Sequence, residues 1–248
     1  VSERAATAIV VGASSGLGRA LAGELAREQY ALLLVASDRR DLDALGASLN
    51  LEHGIAVRAL ALDLGREAEP GARILAALDG MPPPAALLLP IGQSREDDDL
   101  ALDAARIGGL LAINLHAPLA IVHALLPVLV ESHATVVLFG SVAATRGRGR
   151  NVVYASAKRA LVSLYESLRQ RYAPRELRVQ LYELGFMATN LTYGTRLPLP
   201  AVSPDRVARR VVGSLRRGSF RRRVPAWWAF VALVVRLLPW PVYRRLQG

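Results

Sequence analysis

Short apolar runs alternating with segments of helical hydrophobic spacing dominate this chain. Residues 7–11, Thr-Ala-Ile-Val-Val, form a β-branched run that ends at Gly12, and residues 17–27 then carry apolar side chains three and four positions apart. That spacing predicts strand, turn, helix. Runs at 31–36 and 56–62 read as the next strands, with a helical stretch at 41–49 between them. Further strands are predicted at 85–89, 135–139 and 178–182, and helical material at 100–130 and 152–171. The predicted strands are apolar almost throughout, as strands must be when helices cover both faces of a parallel sheet. The pattern therefore predicts an α/β fold, a doubly wound parallel sheet in three αβα layers. Residues 185–204 are irregular and rich in Pro, Thr and Gly, and no internal repeat is visible.

Composition narrows the classes. At 248 residues the chain suits one domain with a substantial core. Zero cysteines exclude disulfides and thiolate metal sites, and His53, His116, His123 and His133 lack metal-ligand spacing, so no metal is expected. No secretory signal is visible, and a cytoplasmic location is expected. The net charge of +10 is concentrated at one end, since residues 203–248 hold eleven arginines against Asp205 alone. All three tryptophans, Trp227, Trp228 and Trp240, lie in this tail beside apolar runs. An aromatic and aliphatic segment flanked by arginines suits a membrane surface, so peripheral contact through residues 224–245, on the inner face of the cell membrane, is expected. Arg236, Pro239 and Pro241 interrupt a run already too short to span a bilayer. The alternative for this segment is a helix buried against the core or a twin subunit. The chain divides into a dinucleotide-binding catalytic core (1–192), a substrate-loop and helical region of the same domain (193–222) and an apolar, arginine-rich C-terminal tail (223–248). The acidic run Glu96-Asp97-Asp98-Asp99 reads as a solvated helix start.

Lys158 is the single lysine among 31 basic residues, and it follows Tyr154 by four positions in Tyr154-Ala-Ser-Ala-Lys158. Residues four apart share a helix face, so the ammonium is expected to approach the phenol and favour phenolate. Arginine serves poorly in this role, being a rigid fork that never gives up its proton. Any amphipathic helix can carry a Tyr and a Lys at this spacing, so the pair gains meaning only beside a cofactor site. Gly12-Ala-Ser-Ser-Gly16-Leu-Gly18, between the first strand and the first helix, offers one. Its glycines let the backbone turn sharply and approach a pyrophosphate at the helix N-terminus.

Together these segments resemble the short-chain dehydrogenase/reductase family over about residues 6–192. The family's Gly-x-x-x-Gly-x-Gly spacing and its Tyr-x-x-x-Lys pair are both present. Its serine thirteen residues before the tyrosine is Ser141, and its asparagine on the preceding long helix is Asn114. The resemblance implies a Rossmann fold and NAD(P)H-dependent reduction of a ketone, or the reverse oxidation of a secondary alcohol. It implies that Ser141 hydrogen-bonds the carbonyl and Tyr154 delivers the proton. Lys158 would lower the tyrosine pKa and bond the nicotinamide ribose, and Asn114 would hold a water linking Lys158 to solvent. Cofactor contacts are implied at Gly12, Ser14, Ser15, Gly16, Leu17, Gly18, Ser37, Arg39, Asp63, Leu64, Gly92, Tyr154, Lys158, Gly185 and Thr189, with Asp63 against adenine. At the end of the second strand, where a carboxylate would select NAD, stands Ala36, followed by Ser37-Asp38-Arg39-Arg40. Missing carboxylate and nearby arginines favour NADPH over NADH, with Asp38 keeping NADH open.

Two departures from the family pattern stand out. The usual Asn-Asn-Ala-Gly after the fourth strand is Leu89-Pro90-Ile91-Gly92, and the usual Pro-Gly after the sixth is Leu184-Gly185. Within the family, the segment before Gly92, the stretch from Ala143 through Arg146 and Arg148 to Tyr154, and the C-terminal stretch from Pro225-Ala-Trp-Trp to Tyr243-Arg-Arg-Leu show a local likeness to reductases acting on decaprenylphosphoryl-2-keto-ribose. That likeness implies a lipophilic, polyprenyl-phosphate-linked keto-sugar, with Arg146, Arg148 and Arg150 as candidate phosphate ligands. A solvated loop is the alternative for those arginines. Family likeness implies a homodimer or homotetramer. Two other classes stay open: a non-catalytic dinucleotide-binding sensor or scaffold, and a nucleic-acid binder using the arginine tail. Clustered tryptophans suit lipid better, so no nucleic acid is expected.

Overall fold

The apolar runs assemble side by side. The computed structural model describes residues 6–187 and 201–246. In it β1 (Thr7–Val11), β2 (Ala31–Ala36), β3 (Val57–Ala61), β4 (Pro84–Leu89), β5 (Thr135–Ser141), β6 (Arg178–Leu184) and β7 (Phe220–Val224) form one seven-stranded sheet, ordered β3-β2-β1-β4-β5-β6-β7. Every neighbouring pair is parallel. The order reverses direction between β1 and β4, which opens a crevice at the carboxyl ends of those strands. This is the doubly wound, Rossmann-type α/β fold expected from the pattern, built as one domain.

Helices cover both faces. On one side α1 (Gly16–Arg27), α2 (Arg39–His53) and α7 (Pro204–Val212) pack over a core that includes Leu21, Leu34, Leu88 and Val211. On the other lie α3 (Pro70–Ala76), α5 (Ala117–Glu131) and α6 (Val152–Arg171), over Ile9, Leu87, Val136 and Leu161. Removing one such fully buried Leu from water contributes roughly 2 kcal/mol, which is why neither sheet face can be left bare. The long helical stretch is not uniform. It starts at Ala104, later than its apolar content suggested, as α4 (Ala104–Leu111), passes through a π-helical turn (Ala112–His116) and continues as α5. By length and composition the stretch Ala104–Glu131 could cross a membrane, but its inner stripe of Ala117, Ile121, Leu125 and Leu129 is fully buried in the core.

Beyond residue 201 the structure departs from a simple tail. Arg221, Arg222 and Arg223 belong to β7, the edge strand, so the segment that runs across the expected 222/223 division is part of the sheet. Gln180 fixes the connection leading into it, its amide donating to the carbonyls of Ser214 (2.7 Å) and Arg217 (2.9 Å). After β7 come α8 (Trp228–Leu237) and the short α9 (Trp240–Tyr243). Trp228 and Ala232 are buried against the body, whereas Phe230 and Leu237 are each 72% exposed and Trp240 63%.

Candidate active site

The glycine loop leaves β1 at Gly12, whose φ of +92° a side chain would strain. A Cβ on Gly18 would lie 1.8 Å from the Gly12 carbonyl oxygen, so the first turn of α1 can close on the loop only with glycine there. Ser15 occupies the N-cap without a side-chain hydrogen bond, which leaves the first-turn N–H groups of α1 for another acceptor. Ser14 is held by its carbonyl, which accepts from Arg19 Nε (3.0 Å) and Nη2 (2.7 Å). Leu17 anchors the turn in the core. These residues fit a dinucleotide pyrophosphate: the donors are uncommitted, the backbone can be approached closely, and no acidic side chain lies in the first turn.

The catalytic candidates converge from three elements. Ser141 ends β5, and Tyr154 and Lys158 lie on α6. Asn114 sits in the π-helical turn, fully buried, where its amide donates to the carbonyls of Gln93 (2.7 Å) and Leu110 (2.9 Å) and its oxygen accepts from Gln93 N–H (3.1 Å). π-turns recur at functional sites because the extra residue re-aims a side chain. Here Asn114 clamps the chain leaving β4. Gly92 shows how tight the junction is, since a Cβ there would meet Lys158 Nζ at 3.1 Å and Asn114 Oδ1 at 3.3 Å. The departure Leu89-Pro90-Ile91 therefore leaves this contact intact.

Lys158 is only 3% exposed, and its ammonium donates to the carbonyls of Ile91 (2.7 Å) and Phe139 (3.2 Å) at the ends of β4 and β5. Burial lowers its pKa to about 8. Its Nζ lies 5.8 Å from the Tyr154 ring centre. Tyr154 keeps some exposed surface, yet desolvation around its hydroxyl pushes the phenol above its usual value, with the Ser141 hydrogen bond and the charge of Arg148 pulling it partly back. This corrects one expectation. The lysine shares the helix face as predicted but is not among the groups lowering the phenol, since burial makes the amine give up its proton before the phenol ionises.

The lowered lysine has a measurable consequence. The unfolded chain holds the lysine proton up to about pH 10.5, and the folded chain only up to about 8. Between those values the unfolded state binds more protons, so stability rises with pH across this window, by about 3 kcal/mol in total. Urea unfolding at stepped pH values checks this, and Lys158→Met is expected to abolish the rise. Identical pH profiles for the two proteins would refute the buried-cation account.

Other predicted residues have different surroundings. Arg39 Nε pairs with both Asp43 oxygens (2.9 and 2.7 Å), and Asp38 caps α2 by accepting from Asp41 N–H (2.9 Å). The carboxylate that kept NADH open is therefore committed to a helix start, and Ser37 stays exposed beside it. Asp63 accepts from Gly65 N–H (2.9 Å) and approaches Arg66 at 3.5 Å, while Leu64 packs against the core. Gly185 lies against the Trp228 indole: a Cβ there would fall 1.9 Å from Nε1, a buried donor without a partner. Thr189 lies outside the described residues. Arg146 is engaged within the chain. It caps α8, donating to the carbonyls of Val235 (3.0 Å) and Leu238 (2.6 Å), and its guanidinium stacks 4.0 Å over Tyr243. Arg150 is exposed. Arg148 fits the expectation best: its Nε is buried without a partner, and its charge reaches the Tyr154 phenol. Among the described residues no group of acidic or histidine side chains could hold a metal.

The acidic run was misread as a helix start. Asp97 pairs with Arg95 in a turn (2.7 Å), and α4 begins later with Asp103 as its cap, accepting from Arg106 N–H (2.8 Å). Asp98 is fully buried, and its carboxylate accepts from Val153 N–H and Tyr154 N–H (3.0 Å each), while its carbonyl accepts from Val152 N–H (3.3 Å). It thus supplies the N-terminal cap of α6 from 56 residues away, where local Asn151 makes no cap bond. Nothing in four consecutive acids separates this residue from its neighbours. Asn151, itself a favourable N-cap residue type, hides in the sequence the need for a distant cap.

Comparison with known proteins agrees with this geometry. The chain belongs to the short-chain dehydrogenase family, whose profile, described as short chain dehydrogenase, matches residues 6–198. It is 30% identical over 251 residues to an uncharacterized oxidoreductase of Mycobacterium tuberculosis, covering 98% of this chain and 97% of that one. It is 27% identical over 234 residues to the very-long-chain 3-oxoacyl-CoA reductase of Podospora anserina, covering 90% of this chain and 67% of that one. Among solved structures, a short-chain dehydrogenase from Sphingobium yanoikuyae in complex with NADPH matches with a TM-score of 0.80 and 27% identity, over 92% of this chain and 93% of that one. The protein is accordingly an NAD(P)-dependent oxidoreductase of the short-chain dehydrogenase/reductase type.

Proposed function

We propose that the protein reduces a ketone on a lipophilic substrate that carries an anionic group, such as a polyprenyl-phosphate-linked keto-sugar, with NADPH preferred over NADH. The observation that carries the reading is Arg148, a buried guanidinium nitrogen lacking a partner beside the phenol that would donate the proton. A buried unpaired donor is costly unless a ligand completes it, and a phosphate oxygen does so with a charge-assisted bond. The bound nicotinamide supplies the hydride. Ser141 orients the carbonyl oxygen, Tyr154 protonates it, and Lys158 with Asn114 holds the ends of β4 and β5 in place around them. Ala36, where a carboxylate would select NAD, supports NADPH, as does the use of Asp38 Oδ1 as the cap of α2.

A lipophilic substrate accords with the exposed apolar face of α8 and α9, where Phe230, Leu233, Leu237 and Trp240 lie between arginines. This face is suited to peripheral contact with a membrane through residues 224–245.

Loss of the reduced-nicotinamide absorbance, followed with NADPH and NADH over a panel of simple ketones, sterols and phosphate-bearing lipid-linked keto-sugars, tests the reading. Arg148→Met is expected to raise KM about tenfold for phosphate-bearing ketones and to leave neutral ketones within about twofold. An equal change for both classes would remove Arg148 from substrate recognition.

A further inference from the structure

Four strands from β1, about 19 Å across the sheet, the edge strand β7 borders a cavity unrelated to the glycine loop. Its volume is about 470 Å³, and five arginines line it: Arg221, Arg222 and Arg223 of β7, Arg210 of α7 and Arg236 of α8. One buried carboxylate answers them. Glu183, 2% exposed, accepts from Arg221 Nη2 (2.8 Å) and lies 3.3 Å from Arg223 Nε, and Glu166 approaches Arg221 at 3.8 Å. Among the described residues Arg210 and Arg236 have no carboxylate partner. Charged side chains on an edge strand ordinarily keep the edge from pairing with other chains. That accounts for the arginines of β7 alone, and not for the convergence of two more from separate helices.

The wall contributed by α8 explains why the cavity stays open. Ala229 and Arg236, seven positions apart, share one helix face, so a small side chain leaves room where the guanidinium two turns later reaches in. Leu233, 53% exposed, lies between them on the same stripe, with Phe230 and Leu237 on the next. Cation-rich space thus adjoins an apolar lip. Guanidinium forks match phosphate oxygens bidentately, and an anion among the arginines not already paired with Glu183 would relieve their mutual repulsion.

We propose that this cavity binds the phosphate or pyrophosphate group of an anionic ligand, carried either by a lipid headgroup or by a soluble ester. The site stands apart from the reductase reading, because no residue of the catalytic set lines it, and pyrophosphate in solution probes it without a membrane.

The test uses the full chain saturated with NADPH, so that the cofactor loop is filled. Inorganic pyrophosphate is titrated calorimetrically at physiological salt. Sedimentation with phosphatidylglycerol–phosphatidylcholine vesicles is measured in parallel. Arg210→Gln/Arg236→Gln is compared with Arg159→Gln/Arg175→Gln, which removes the same charge from exposed positions elsewhere. Saturable pyrophosphate binding weakened about tenfold or more in the cavity pair, and unchanged in the control pair, is expected. A parallel loss of vesicle binding in the cavity pair assigns a lipid headgroup; unchanged vesicle binding assigns a soluble phosphate ester. Equal losses in both pairs, or no saturable binding by the wild type, would overturn the proposal. Reductase turnover on a neutral ketone, expected to be retained by all variants, reports folding and reads the catalytic function separately.

Discussion

Tyr154→Phe is expected to lower kcat about a thousandfold, equivalent to about 4 kcal/mol of transition-state stabilisation, while cofactor affinity stays within about twofold. The substitution keeps the ring, and with it the packing beside Lys158, but removes the one hydroxyl aligned with Ser141. The raised phenol pKa adds a direction to the result. Because the phenol stays protonated through neutral pH, ketone reduction is expected to be flat there. Alcohol oxidation, which needs phenolate as the base, is expected to climb as pH rises into the alkaline range. Steady-state rates in both directions across pH check this, and a phenylalanine variant turning over at the wild-type rate would sink the assignment of the proton donor.

Asp98→Ala is expected to have the largest effect on the fold among single changes near the site. The carboxylate satisfies two N–H groups at the start of α6 and opposes the positive end of that helix from a fully buried position. Its removal leaves those donors without partners, costing about 3 kcal/mol, which corresponds to a fall in Tm of about 9 °C for a chain of this size. Because Tyr154 is one of the two residues held, kcat is also expected to fall about tenfold at temperatures where the variant is folded, with KM for the cofactor unchanged. Asp98→Asn, which offers one acceptor oxygen in place of two, should fall midway in both respects. An alanine variant as stable and as fast as the wild type would show that α6 needs no help from this loop.

The first six strands were legible because each is a largely apolar run between turn residues, and the grouping of Ser141, Tyr154, Lys158 and Asn114 was suggested by their spacing along the chain. β7 was not, since Phe220-Arg-Arg-Arg-Val224 has neither alternation nor an apolar run; an edge strand with most of its surface in solvent is specified by pairing with β6 instead of by its own pattern. The acidic run failed for a related reason. Asp98 is distinguished from Asp97 and Asp99 only by a partner 56 residues away, and such a contact leaves no mark on local spacing. Arg146 and Arg148 show the same limit at two-residue resolution: one caps α8 and the other approaches the phenol, although both sit in one arginine–glycine repeat. The direction of the Tyr154 shift was not legible, because the desolvation that raises it depends on burial and not on spacing along the chain.

The order β4-β5-β6-β7 follows the order of synthesis, so each strand leaving the ribosome finds its template already laid down on one side and never has to insert between two finished neighbours. A nascent chain that has not yet reached Phe220 would leave the outer edge of β6, from Gln180 to Leu184, with its backbone N–H and C=O groups unpaired. Translation of the last arginine-bearing strand thus closes a sticky growing front, and a chain cut short before it would be a target for chaperones.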